Sequence, residues 1–157
     1  MNYKARRRGP EASTIHFSLP GCIITPGKTI KSPQDVLGLC EGLCKVPVEM
    51  MVQILLNTKN GLIGVMMVGM GITDACLVDP KVIARNIGIT MASASILVHN
   101  HPSGDTTPSA EDVGITKSVI EAAQIMDSKL LDHIIIGHKD GVPSFLSLRQ
   151  EGLVSFS

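Results

Sequence analysis

The stretch ILVHNHPSGDTTPSAED, residues 96–112, does most to limit what this chain can become. An unbroken apolar run ends in two histidines one residue apart. A loop with two prolines and a glycine follows, and then small and acidic residues open a segment of helical spacing. Continuous apolar residues of this length read as a buried strand, whereas Val113, Ile115, Val119, Ile120, Ala123 and Met126 recur with the period of a helix. A buried strand feeding a helix through a short loop is a unit of α/β architecture.

The remaining segments supply matching parts. SPQDVLGLCEGLCK predicts a short amphipathic helix, with Ser32 as N-cap, Pro33 at the first helical position and Asp35 three residues after the cap. VEMMVQILLNTKNGLIGVMMVG predicts a β-hairpin turning at Asn60-Gly61. DPKVIARNIGITMA predicts a second helix from Val82, Ile83, Ile87 and Met91, and ASILV is the strand that leads into the histidines. KLLDHIIIG predicts a strand, HKDG a turn and VPSFLSL a further strand. We therefore expect an α/β fold in which helices sandwich one mixed sheet.

A length of 157 residues with 44% apolar content is enough for one domain with a sizeable core. The longest run without charge or strong polarity, GLIGVMMVGMGI, has twelve residues, against roughly 20 needed to span a bilayer. The N-terminus lacks the apolar core of a secretory signal, so a cytoplasmic location is expected. Net charge is zero, yet Lys4, Arg6, Arg7, Arg8, Lys28 and Lys31 face only Glu11 in the first 31 residues. Residues 1–29 read as a basic, partly disordered leader, and residues 30–157 as the domain. Such a leader has two uses, as a solvated tail or as a contact to nucleic acid phosphates. Cys22, Cys40, Cys44 and Cys76 form no C-x-x-C pair and are expected as free thiols, with Cys40 and Cys44 packing from one helix face. The methionines, Met50, Met51, Met66 and Met67 among them, read as core filler.

Side chains alternate across a strand, so His99 and His101 aim at one point while Asn100 faces away. The tripeptide is not a nuclease signature, because the nucleases known by those letters draw the three residues from separated positions. Neutral imidazole binds Zn²⁺ at roughly 2.0–2.1 Å, and a catalytic site adds a third protein ligand and leaves a position for water. Asp105, Glu111 and Asp112 are the nearby carboxylates. Asp112 is preferred because it falls in the first helical turn, behind a loop that proline and glycine hold on course. Ser109 with Asp112 is also a capping box, so the same residues have a purely structural reading. Asp105 reads as a loop cap, and His16 and His138 as surface residues. Asp132 and His133 fall on opposite faces of their strand, where a histidine is usually a satisfied core or edge residue.

The pattern H-x-H-x7-S-x2-D, formed by His99, His101, Ser109 and Asp112, resembles the JAMM motif of MPN/JAB-domain metalloproteases. HNHPSG and LLDHIIIG are similar to the RadC branch of that superfamily, and the resemblance runs from IKSPQDV to FLSLRQEGL. It implies a cytidine-deaminase-like α/β fold, the JAB/MPN fold, with Zn²⁺ held by His99, His101 and Asp112. It also implies Glu49 as general base and Ser109 as a donor to the oxyanion, and hence hydrolysis of a peptide or isopeptide bond. The residues alone do not single out Glu49, since Glu41 competes with it. A deaminase would instead show H-x-E and P-C-x-x-C, and neither string occurs. RadC-like chains usually begin with a helix-hairpin-helix region, for which no room is expected before Ile30. The rival reading is a non-catalytic accessory or DNA-binding module in DNA repair or recombination.

Overall fold

Alternating and continuous apolar runs build one sheet. In the computed structural model, which describes residues 22–23, 27–71 and 78–156, the strands are β1 (Cys22–Ile23), β2 (Met50–Leu56), β3 (Leu62–Met70), β4 (Ala94–Asn100), β5 (Lys129–Lys139) and β6 (Val142–Ser147). The helices are α1 (Pro33–Cys40), α2 (Pro80–Thr90) and α3 (Ala110–Ile125). The basic residues before β1, His16 and Cys76 lie outside the described residues.

The sheet runs β1-β3-β2-β4-β5-β6. All neighbours are antiparallel except β4 and β5, which are parallel. A parallel pair needs a crossover, and α3 provides it. Alternation along β2 sends Val52, Ile54 and Leu56 to a core shared with Val36 and Cys40 of α1. Met51 and Leu55 go to the other face, where Ile83 and Ile87 of α2 and Val119 and Ala123 of α3 cover them. Helices therefore sandwich a mixed sheet, as expected.

Local signals act where they stand in the sequence. Ser32 and Asp35 form the capping box of α1, with the Ser32 hydroxyl accepting from Asp35 N and Asp35 accepting from Ser32 N. Two expectations change. The first helix stops at Cys40 and tightens into a 3₁₀ turn over Glu41–Lys45, a region that Gly38 and Gly42 weaken as α-helix. Cys40 and Cys44 thus do not share one helix face, although both are free thiols, Cys40 buried and Cys44 half-buried. Burial pushes the Cys40 thiol up to about 12. The HKDG turn is shorter than expected, because His138 and Lys139 still belong to β5. Asp140 and Gly141 alone make it, both at positive φ (52° and 77°), the backbone that Asp-Gly favours between strands. Met51 and Met66 are core residues, whereas Met67 is 40% exposed.

The loop that carries the second histidine is pressed against β5. His101 N donates to Ile136 O at 3.0 Å, and Gly104 N to His101 O at 2.9 Å. A methyl group on Gly137 would overlap the Gly104 carbonyl, and one on Gly104 would overlap the His138 carbonyl at a φ of +85°. The two glycines therefore let two backbones touch. Gly137→Ala should cost about 1–3 kcal/mol by forcing them apart, read as a lower urea midpoint. Gly114→Ala, on the exposed side of α3 with no atom within 4 Å of the new methyl, should instead add about 0.5–1 kcal/mol. Equal midpoints for the two variants would mean that the loop does not rest on β5.

Candidate metal centre

His99 is the last residue but one of β4, on the face that α3 covers, and His101 is the first residue beyond the strand. The proline-bounded loop returns the chain so that α3 begins beside them. His99 Nε2 lies 3.2 Å from Asp112 Oδ1, His101 Nε2 lies 3.7 Å from Asp112 Oδ2, and the two Nε2 atoms are 2.9 Å apart. Glu49, immediately before β2, completes the group. One ligand atom from each of Glu49, His99, His101 and Asp112 lies within 4.8 Å of the others. Glu41 sits exposed on the 3₁₀ turn, and Asp105 and Glu111 are exposed too; none of them joins the group.

The two readings of Asp112 are both realised. Its Oδ2 accepts from Ser109 N and from the Ser109 hydroxyl, each at 2.8 Å, while Asp112 N donates to Ser109 Oγ at 3.1 Å. That is the capping box of α3. Oδ1 remains for His99, since an ionised carboxylate has about four acceptor sites on two oxygens.

The electrostatics suit a cation. Burial pushes the Asp112 carboxyl up, but hydrogen bonds with His101 and His99, the charge of His99 and the Ser109 N–H outweigh it and hold the group well below the usual carboxylate range. His101 is raised by its hydrogen bond with Asp112, against burial, with help from the Asp105 carbonyl and the charges of Asp112 and Glu49. His101 Nδ1 lies 2.6 Å from Asp105 O. A carbonyl only accepts, so Nδ1 carries a hydrogen and donates it to Asp105 O, which leaves Nε2 as the nitrogen that faces Asp112 and the site. Two imidazole nitrogens with carboxylate oxygens form a donor set that fits a metal such as zinc.

Asn100 faces away from the histidines, as alternation requires, and has work of its own. Its Oδ1 accepts from Met50 N at 2.8 Å, and its Nδ2 donates to Val46 O at 3.2 Å and Val48 O at 3.1 Å. One fully buried amide thereby pins the segment that carries Glu49. Sequence reasoning missed this partner, although an amide at the end of an apolar strand always needs hydrogen bonds. It also left His133 as a core residue. His133 is fully buried, with Nε2 2.8 Å from His99 Nδ1. On the opposite face, Asp132 accepts from Ser147 Oγ, Arg149 N and His133 N and so anchors the C-terminal turn. Asp105 caps its loop by accepting from Thr107 N and Oγ1, and His138 is exposed, both as expected.

Comparison with known proteins agrees with this geometry. The sequence model of the RadC-like JAB domain matches residues 30–153. The chain belongs to the RadC-like JAB domain family. Its mixed sheet flanked by helices is consistent with the JAB/MPN fold. It is similar to the UPF0758 protein of Caldanaerobacter subterraneus subsp. tengcongensis, 39% identical over 129 residues, which are 82% of this chain and 54% of the relative. A UPF0758 protein of Desulforamulus reducens is 41% identical over 126 residues, 80% of this chain and 54% of the relative. The chain spans about half the length of the curated relatives it matches. No helix among the described residues of this family member is long and apolar enough to cross a membrane.

Asn100→Ala should lower stability by about 1–3 kcal/mol, because it leaves partly buried backbone groups without partners. Urea unfolding reads the loss, and faster hydrogen exchange at the Met50 amide locates it. A change within about 0.5 kcal/mol, the range of ordinary surface substitutions, would contradict the pinning role.

Proposed function

We propose that this RadC-like domain is a zinc-dependent hydrolase of JAMM type that cleaves peptide or isopeptide bonds. The observation that carries the reading is the convergence of Glu49, His99, His101 and Asp112 from three separate parts of the chain. His99, His101 and Asp112 hold the ion. Zinc, when bound, supplies a Lewis acid that brings the pKa of water from 15.7 to about 7. Glu49 accepts the proton from the attacking water and returns it to the amine nitrogen that leaves, as a general base and then a general acid. Ser109 donates to the oxyanion formed on the attacked carbonyl, for which its hydroxyl must turn from Asp112 Oδ2. The free thiols Cys40 and Cys44 agree with a cytoplasmic setting.

The rival reading, a non-catalytic accessory or DNA-binding module, draws on the basic residues Lys4, Arg6, Arg7 and Arg8. A mobility-shift assay at two salt concentrations separates the two, because contacts to phosphates weaken steeply as salt rises.

The purified protein should carry about one Zn²⁺ per chain through three protein ligands, and His101→Ala or Asp112→Ala should remove it. Elemental analysis decides, and metal retained at full occupancy in both variants would place the site elsewhere. Glu49→Gln keeps the side chain's size but cannot take a proton, so zinc content should stay near wild type while turnover falls about 10²–10⁴-fold. Full activity in this variant would remove Glu49 as base, and loss of zinc would make it a ligand.

A further inference from the structure

We infer that Thr116 and His133 are positioning residues that fix which nitrogen of His99 is free to take a metal, an inference that rests on the metal-site reading above. Thr116 lies on α3 one turn after Asp112, and both Thr116 and His133 are fully buried. Thr116 Oγ1 lies 2.5 Å from the Asp112 carbonyl oxygen and 2.6 Å from His133 Nδ1. His133 Nε2 in turn lies 2.8 Å from His99 Nδ1.

The direction of this chain follows from one hydrogen. A hydroxyl has a single hydrogen to donate, and the carbonyl of Asp112 can only accept. Two oxygens at 2.5 Å without a hydrogen between them would repel, so the Thr116 hydroxyl spends its hydrogen on Asp112 O. It must then accept at its other short contact, which puts the hydrogen of the His133 ring on Nδ1. His133 Nε2 is left as an acceptor, and His99 must donate to it from Nδ1. The His99 Nε2 atom, beside Asp112 and His101, is then the nitrogen left to face a metal. Run in reverse, the chain would put a hydrogen on His99 Nε2 and block the ligand position.

The relay also closes a ring. Asp112 offers its carboxylate to the site and its backbone carbonyl to Thr116, so the group that faces His99 directly also fixes His99 through His133. Ligating histidines commonly donate their second nitrogen in this manner, and removing such a partner costs roughly 10–100-fold in metal affinity. A second histidine as that partner leaves the assignment to Thr116, whose hydrogen is committed to the Asp112 carbonyl.

Nitrogen-15 NMR of the metal-free protein at pH 8 should find both His99 and His133 with the hydrogen on Nδ1. His133 with its hydrogen on Nε2 would overturn the inference. Zinc competition titrations supply the second readout. Thr116→Val keeps the shape but not the hydroxyl and should weaken zinc binding about 10–100-fold, whereas Thr116→Ser should restore wild-type affinity. A valine variant that binds zinc as tightly as wild type would overturn it as well. Failure of the wild-type protein to take up zinc would sink the proposed hydrolase, and the tautomers seen by NMR would still decide the relay.

Discussion

The carboxylate of Asp112 joins the fold to the site. One oxygen receives the N-cap backbone and hydroxyl of Ser109, and the other faces His99. The start of α3 and the position of the acidic group are therefore one structural decision. Negative charge is favoured at a helix N-terminus by the helix dipole and its unpaired N–H groups, which adds to the histidines' hold on the Asp112 carboxylate. The helix thus stabilises the anion that a cation at the histidines would need.

The sheet divides the labour among neighbouring residues. Alternation turns His99 toward α3 and Asn100 toward the segment before β2, so consecutive positions serve the site from opposite faces. The antiparallel pairing of Met51 with His99 brings the start of β2, and Glu49 with it, to the end of β4. Asn100 secures that approach through three hydrogen bonds. The loop between His101 and Ser109 lies flat on β5 because Gly104 and Gly137 leave no side chain in the way. His99 and Asp112 thus sit on a strand and a helix, and hydrogen bonds to the neighbouring elements hold the segments that carry Glu49 and His101.

What was legible in the sequence followed the range of the forces involved. Caps and turns are local, so Ser32, Asp35, Ser109 and Asp112 could be read from a few letters each. The pairing of His99 with His101 also needs only the two-residue period of a strand. Glu49 entered through family resemblance, because its place depends on the register of β2 against β4, which no short stretch encodes. His133 was legible only as a buried histidine. Its contact with His99 requires the parallel register in which Leu97 stands opposite His133, a pairing between strands far apart in the sequence. The end of α1 at Cys40 was missed for a different reason. The apolar spacing continues to Cys44, while glycines at 38 and 42 let the backbone tighten into a 3₁₀ turn.

Imidazole and carboxylate groups, without sulfur, make up the candidate metal centre. X-ray absorption at the zinc edge of the loaded protein measures this directly. The spectrum should show nitrogen and oxygen neighbours at roughly 2.0–2.2 Å with the outer scattering of two imidazole rings. A sulfur shell at roughly 2.3 Å, or fewer than two imidazoles, would contradict it.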